Sequence, residues 1–387
     1  MPNSPSNSSD SQPPSARSPA VDAPASIRTN VVLFCVTLVS VFATYYFGDD
    51  GEGHSRLGHA LMFTGSLMGV LTVHELSHWV AAKIHRVDAS PPYFIPLPIL
   101  SPFGTMGAVI RLRGTIPTRR ALLDIGASGP LGGLAVAIPL YAWGIAHSTQ
   151  IPLSSAGSEL GESLLLKGLD HLFAATPPEG MDLLLHPVAF GAWGGMLVTM
   201  LNLLPVSQLD GGHVAYALFG PRQDKIARHV HRALLVFFFL SLGSFVFRDV
   251  RAGLGLSQIG KNIENSAWWL FWYQVLAILG SLNTPARVEG RLPEGSITVR
   301  TRVVMLIGLL AMTQLGESAN RPLVWVAWFV NLGILVAMEV RSGTLRDHSL
   351  LDHPSTGSEP IGFGRKVVAV FTLAMFVALF MPTPFAM

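Results

Sequence analysis

The chain has 387 residues, 50% of them hydrophobic and only 13% charged, with a mean hydropathy of +0.45. Soluble globular proteins carry about a quarter charged residues, so the composition excludes a soluble domain and points to an all-α, polytopic helical bundle in a membrane. A single cysteine, Cys35, excludes an intramolecular disulfide and a cysteine-based metal site, and no basic tract with interleaved aromatics suggests nucleic acid.

Residues 1–26 are rich in Ser, Pro and Asn and cannot bury enough apolar surface to fold, so they are expected to form a disordered tail. They do not read as a signal peptide, because the apolar run that follows starts too late and is too long. A first span is expected at about Thr29–Phe47, followed by a loop holding Asp49, Asp50 and Glu52 against Arg56. The next apolar run, about Leu61–Ile84, contains Val73-His74-Glu75-Leu76-Ser77-His78-Trp79. On a helix, residues four apart project from one face, so His74 and His78 can close on a single Zn²⁺, with Glu75 placed to act on a water at the metal. The motif is short enough to occur by accident, but a bilayer span rarely carries two His and a Glu without a function.

Between Pro91 and Gly114 the pattern changes. Pro91, Pro92, Pro96, Pro98 and Pro102 forbid a regular helix, yet Tyr93, Phe94, Ile95 and Leu97 are apolar enough for membrane depth. Irregular backbone at that depth must be buried in protein or line a watery cavity, so a short re-entrant or β-hairpin segment is expected near the site. Its end, Gly107 to Arg113, is a candidate extended edge for pairing with a substrate strand.

A third span is expected at about Ala121–Ala146, with Gly126-Ala127-Ser128-Gly129-Pro130-Leu131-Gly132-Gly133 allowing another helix to approach closely. The acidic stretch 147–185 is too short for an inserted soluble domain, which needs at least about 50 residues. A fourth span, about Pro187–Leu204, runs into Asn202-Leu203-Leu204-Pro205-Val206-Ser207-Gln208-Leu209-Asp210-Gly211-Gly212-His213. There Pro205 and the glycines interrupt the helix where a carboxylate is presented. Catalytic zinc takes three protein ligands and keeps one open position; Asp210 is the leading candidate for the third ligand and His213 the competing one.

After a basic stretch with Arg222, Lys225, Arg228 and Arg232, further spans are expected at about 233–247, 267–282, 303–315, 323–338 and 367–380. His229, His231, His348 and His353 fall in hydrophilic stretches and are read as solvated. Basic loops follow the His/Glu span and Asp210, whereas 48–58 and 147–185 are acidic. The positive-inside rule then places the amino terminus and both halves of the site toward the cytoplasm or its equivalent.

These residues resemble the site-2 protease family of intramembrane zinc metalloproteases. His74-Glu75-Leu76-Ser77-His78 matches its HExxH motif, and Asn202 to Gly211 matches its NxxPxxxxDG motif without a gap. The stretch 92–133 and the short 147–185 loop look like the branch without a PDZ domain that includes chloroplast and bacterial homologues. The resemblance is strong over about residues 60–220 and implies Zn²⁺ held by His74, His78 and Asp210, with Glu75 catalytic and Asn202 positioning the substrate backbone or the developing oxyanion. It also implies a transmembrane protein substrate and a multi-pass location in a bacterial inner membrane or a plastid-type membrane. One departure is Gly133, where many members carry Asn, so no helper amide is carried over to that position. The expected organisation is a tail at 1–26, a first span and acidic loop at 27–58, a metalloprotease core at 59–220 and additional spans at 221–387. The rival readings are a catalytically silent membrane-protein-binding homologue, which would lack proteolysis, and a metal transporter, which would need a second His/Asp constellation along a through-path.

Overall fold

A computed structural model describes residues 27–48, 54–98, 101–113, 116–152, 159–255, 258–283, 297–319, 322–343 and 351–386. The expected tail at 1–26, the acids at 49–52 and His348 lie outside the described residues. The architecture is a polytopic helical bundle in which, among the described residues, the sheets are all two-stranded. Among the described residues, five helical segments are long and apolar enough to cross a membrane: Ile27–Gly48, Ser55–Ile84, Arg119–Ala146, Asp210–Arg251 and Leu323–Arg341. Val31, Val32, Val36 and Val39 on the first, and Leu323, Val326, Val330 and Ile334 on the last, turn apolar side chains outward. A water-exposed surface would not carry such stripes; a lipid-facing one does.

Three helices form the centre: α2 (His54–Ile84), α3 (Arg119–Ala146) and α5 (Pro187–Asn202). The last is buried along nearly its whole length because Gly191 and Gly195 let it lie against α2; a Cβ at Gly191 would stand 2.7 Å from the Phe63 carbonyl oxygen. Phe63, Leu67, Val70, Leu134, Trp193 and Met200 fill the space between them. Helix α3 begins where the Thr118 side chain accepts from the Ala121 N–H, and it carries Pro130 and Pro139 in its interior. A spanning helix packed against neighbours tolerates such prolines.

The proline-rich stretch folds as expected into an antiparallel hairpin of β2 (Tyr93–Pro96) and β3 (Thr105–Val109), after β1 (Asp88–Ala89) and before β4 (Leu112–Arg113), which pair with each other. Helix α1 (Ile27–Gly48) holds this hairpin at two heights. Asn30 Nδ2 donates to the carbonyls of Pro91 and Pro92 at 2.8 and 2.9 Å, and Ser40 Oγ donates to the Gly104 carbonyl at 2.5 Å. At 1.5 Å per residue the hairpin therefore follows α1 for about 15 Å, the depth of half a bilayer core. Gly104 turns the chain at φ 74, and a Cβ there would run into the Ser40 carbonyl and the Thr44 hydroxyl.

The stretch 147–185 is more structured than an ordinary loop. It holds β5 (Thr149–Pro152) paired with β7 (Met181–Leu184), β6 (Glu159–Leu160) paired with β8 (Phe385–Ala386), and the amphipathic α4 (Leu164–Phe173). Tyr141 of α3 donates to Asp170 of α4 at 2.9 Å, fixing α4 on the bundle while Leu164 and Leu172 stay exposed.

Helix α6 (Asp210–Phe219) leads through a short 3₁₀ turn into α7 (Gln223–Arg251). The basic stretch read as a loop is thus the first third of a helix, since Arg, Lys and Ala are good helix formers whatever their charge. Helix α8 (Ile259–Asn283) packs against α7, α9 (Val299–Ala319) against α8 and α10 (Pro322–Arg341) against α9, and α11 (Phe363–Leu379) returns to α3 and α6. Arg302 and Glu339 form a fully buried ion pair between α9 and α10, with Gln274 of α8 accepting from Arg302. Such a pair resists separation because either partner alone would be a buried uncompensated charge.

Candidate metal centre

The site lies where α2, α3, α5 and α6 meet. His74 and His78 are one helical turn apart on α2, with ring centroids 4.9 Å apart. His74 Nε2 stands 3.1 Å from Asp210 Oδ2, and His78 Nε2 stands 3.2 Å from Asp210 Oδ1. The three donor atoms lie within 4.8 Å of one another, the single such group among the described residues. Asp210 reaches them because α5 stops at Asn202, the chain turns through Pro205 and Ser207, and α6 restarts with Asp210 as its first residue. That turn is crowded: a Cβ at Gly211 would overlap the Leu203 carbonyl, and one at Gly212 the Ser207 carbonyl. Only glycines let the start of α6 fold back on the end of α5.

The glycines of α3 form the other wall. A Cβ at Gly129 would occupy the His78 imidazole, one at Gly132 would meet the Ser77 hydroxyl, and one at Gly133 would stand 3.1 Å from His74 Nδ1. The small-residue run expected to allow close helix approach is thus the surface against which the two histidines are seated. His78 Nδ1 faces the Ile125 carbonyl at 2.7 Å, and a carbonyl can only accept, so Nδ1 carries the hydrogen. In the neutral ring His78 Nε2 is then a bare lone pair aimed at a carboxylate oxygen. Two lone pairs facing each other at that distance call for a cation between them, and two imidazoles with one carboxylate form a donor set that zinc takes. The residues present therefore fit a metal.

Glu75 is 5% exposed, beside the ligands on α2, and the Asn202 side-chain amide lies 3.4 Å from His74 Nε2. All five residues singled out in the sequence thus gather in one place. His213, the competing third ligand, does not belong to the donor group; its Nδ1 meets His353 Nε2 at 2.7 Å. Two histidines read as solvated are buried instead. His231 stacks on Tyr273 and meets its carbonyl at 2.9 Å, and His353 stacks on Tyr216 with centroids 4.3 Å apart. A hydrophilic flank gives no local signal of a distant partner, so sequence reasoning missed both.

The model of peptidase family M50 matches residues 62–244. Among curated proteins, the chain is 34% identical over 173 residues to a probable zinc metalloprotease, EGY1, chloroplastic, of Arabidopsis thaliana, covering 42% of this chain and 30% of that protein. It is 30% identical over 194 residues to a probable zinc metalloprotease, EGY2, chloroplastic, of Oryza sativa subsp. indica, covering 49% and 33%. A longer, weaker match at 26% over 278 residues is to a probable zinc metallopeptidase, EGY3, chloroplastic, of Arabidopsis thaliana. The chain spans about a third of the length of the first two relatives. No solved structure matches it.

Proposed function

We propose that this multi-pass membrane protein, whose residues 62–244 match the model of peptidase family M50, is a zinc-dependent protease of the site-2 type that hydrolyses peptide bonds in membrane-embedded segments of other proteins. The observation that supports this reading most is the convergence of His74 Nε2, His78 Nε2 and the Asp210 carboxylate beside a buried Glu75.

In this reading His74, His78 and Asp210 hold zinc. Bound there, zinc supplies Lewis acidity, which polarises a carbonyl and lowers the pKa of water toward ~7. Glu75 takes a proton from the attacking water as its oxygen bonds to the scissile carbonyl carbon, then delivers that proton to the leaving nitrogen as the C–N bond breaks. The Asn202 amide positions the substrate backbone or donates to the developing oxyanion. A substrate helix hides its carbonyls in its own hydrogen bonds and must unwind locally before attack. The β2–β3 hairpin offers a place for the unwound segment: β3 pairs on one edge with β2 and, among the described residues, no strand covers its other edge. The charge partition of the loops supports an amino terminus and a site on the cytoplasmic side, in a plastid-type or bacterial inner membrane.

Reconstituted in liposomes with a single-span substrate, the protein is expected to cleave it, to stop when a zinc chelator is added and to resume on adding zinc. Cleavage indifferent to the chelator sinks the reading, and metal uptake into the vesicles without cleavage would favour a transporter. The Asn202→Ala variant is expected to cut about 100-fold more slowly with zinc still bound, in line with the loss of one oxyanion donor. Unchanged turnover would remove Asn202 from the site.

A further inference from the structure

The chain beyond α10 comes back to the site. Between α10 and α11, residues 351–362 run over the end of the bundle that carries Asp210 and fasten to it at several points. Asp352 pairs with Arg228 at 3.2 Å, the His353 N–H donates to Asp224 of α7 at 3.0 Å, and Glu359 accepts from the Arg119 N–H at the start of α3 at 2.7 Å. Just beyond, Arg365 holds Asp124 of α3 at 2.7 Å, and Asp124 also meets His85, the residue after α2, at 2.8 Å. Helix α7 and two of the helices that build the metal centre, α3 directly and α2 through Asp124, are thus tied to this late part of the chain.

The contact nearest the centre is His353 on α6. Asp210, His213 and Tyr216 follow each other at three-residue spacing, so they share one stripe of this ten-residue helix. His353 covers the part of that stripe next to Asp210: its ring stacks on Tyr216, and its Nε2 meets His213 Nδ1 at 2.7 Å. The directions of these bonds follow from the acceptors. His353 Nδ1 lies 2.7 Å from the Pro354 carbonyl, which can only accept, so Nδ1 carries the hydrogen. Nε2 of the neutral ring is then the acceptor, and His213 must present Nδ1–H to it. Burial pushes His353 down to about 4, so the ring is neutral in the physiological range, as an acceptor at Nε2 requires. On its other side His213 is packed on α3, where a Cβ at Gly126 would lie 2.8 Å from the His213 Cβ. Helix α6 has no side-chain cap at Leu209, so its rotation depends on contacts such as these.

We propose that His353 is a positioning residue of the metal centre: by accepting the hydrogen of His213 Nδ1 it fixes the tautomer of His213 and the rotation of the helix whose first residue is Asp210. This rests on the reading that His74, His78 and Asp210 hold zinc. Groups that orient metal ligands from outside typically cost 10–100-fold in affinity or activity when removed, which sets the expected size of the effect.

The test uses the full chain in detergent with Co²⁺ in place of zinc, so that ligand geometry is read from the cobalt absorption bands as well as from cleavage. In His353→Ala the bands are expected to shift, and kcat is expected to fall about 10-fold with little change in KM. In His353→Gln, whose side-chain oxygen can accept in place of Nε2, both are expected to return toward the wild type. A second pair tests the same bond from the other side: His213→Asn keeps a donor near Nδ1 and should resemble the wild type, while His213→Leu should resemble His353→Ala. Wild-type bands and kcat in His353→Ala, or a His353→Gln no better than Ala, would overturn the proposal. So would loss of folding in His353→Ala if His213→Leu keeps wild-type bands. A wild-type chain that takes up cobalt but cleaves nothing, with the bands still shifted in His353→Ala, supports the positioning role and overturns the protease reading alone.

Discussion

Replacing Glu75 with Gln is expected to lower substrate cleavage by about 10²–10⁴-fold, the usual contribution of a general acid–base group, while the protein still binds about one zinc. Gln keeps the size and shape of the side chain, so the packing of a residue only 5% exposed is preserved. What it loses is the capacity to take a proton from water and hand it to the leaving amine. The variant separates the chemistry from its scaffold, because His74, His78 and Asp210 keep their donor atoms. Zinc content by elemental analysis and cleavage of a reconstituted substrate check it together. Full activity in Glu75→Gln would sink the assignment, and loss of both zinc and activity would mean that Glu75 matters for the centre's structure rather than for proton transfer.

How much of this site is legible in the sequence depends on how local each part is. The pair His74/His78 is a property of one helix: four residues make about one turn, so spacing alone puts both rings on a face. Asp210 is legible for a different reason, since Pro205, Gly211 and Gly212 interrupt an apolar run where a carboxylate stands. The Gly129–Gly133 run announces that something approaches α3 closely, but not that the approaching groups are the two histidines. That identity needs the fold. The hairpin is legible in outline because prolines exclude helix, whereas its anchoring by Asn30 and Ser40 of α1 joins residues more than 60 positions apart. His353 has no local pattern at all. It reads as a loop histidine until α11 carries its flank back onto α6 and covers it with Tyr216.

In the proposed centre, charge balance favours a carboxylate such as Asp210 as the third ligand. Two neutral imidazoles cannot neutralise a divalent cation, and in a site this buried the charge has to be balanced nearby. Asp210 is placed to do so, with an oxygen toward each ring at 3.1 and 3.2 Å. As the first residue of α6 it also sits at the positive end of that helix's dipole, a favourable place for a carboxylate.

Replacing Asp210 with Ala should therefore empty the centre. Outer groups that merely orient ligands cost 10–100-fold in affinity, so removing a direct anionic ligand is expected to cost at least about 100-fold and to leave the purified protein nearly free of zinc. The fold should survive, because the helix-end interaction that is lost amounts to about 0.3–1 kcal/mol. The contrast with Glu75→Gln is the informative part: both variants are expected to be inactive, but only one should have lost its metal. Measured side by side by elemental analysis, with circular dichroism to confirm intact helices, unchanged zinc in Asp210→Ala would move the third ligand elsewhere. His213 would then be the first residue to replace, and its hydrogen bond to His353 would have to break for its ring to turn toward His74 and His78.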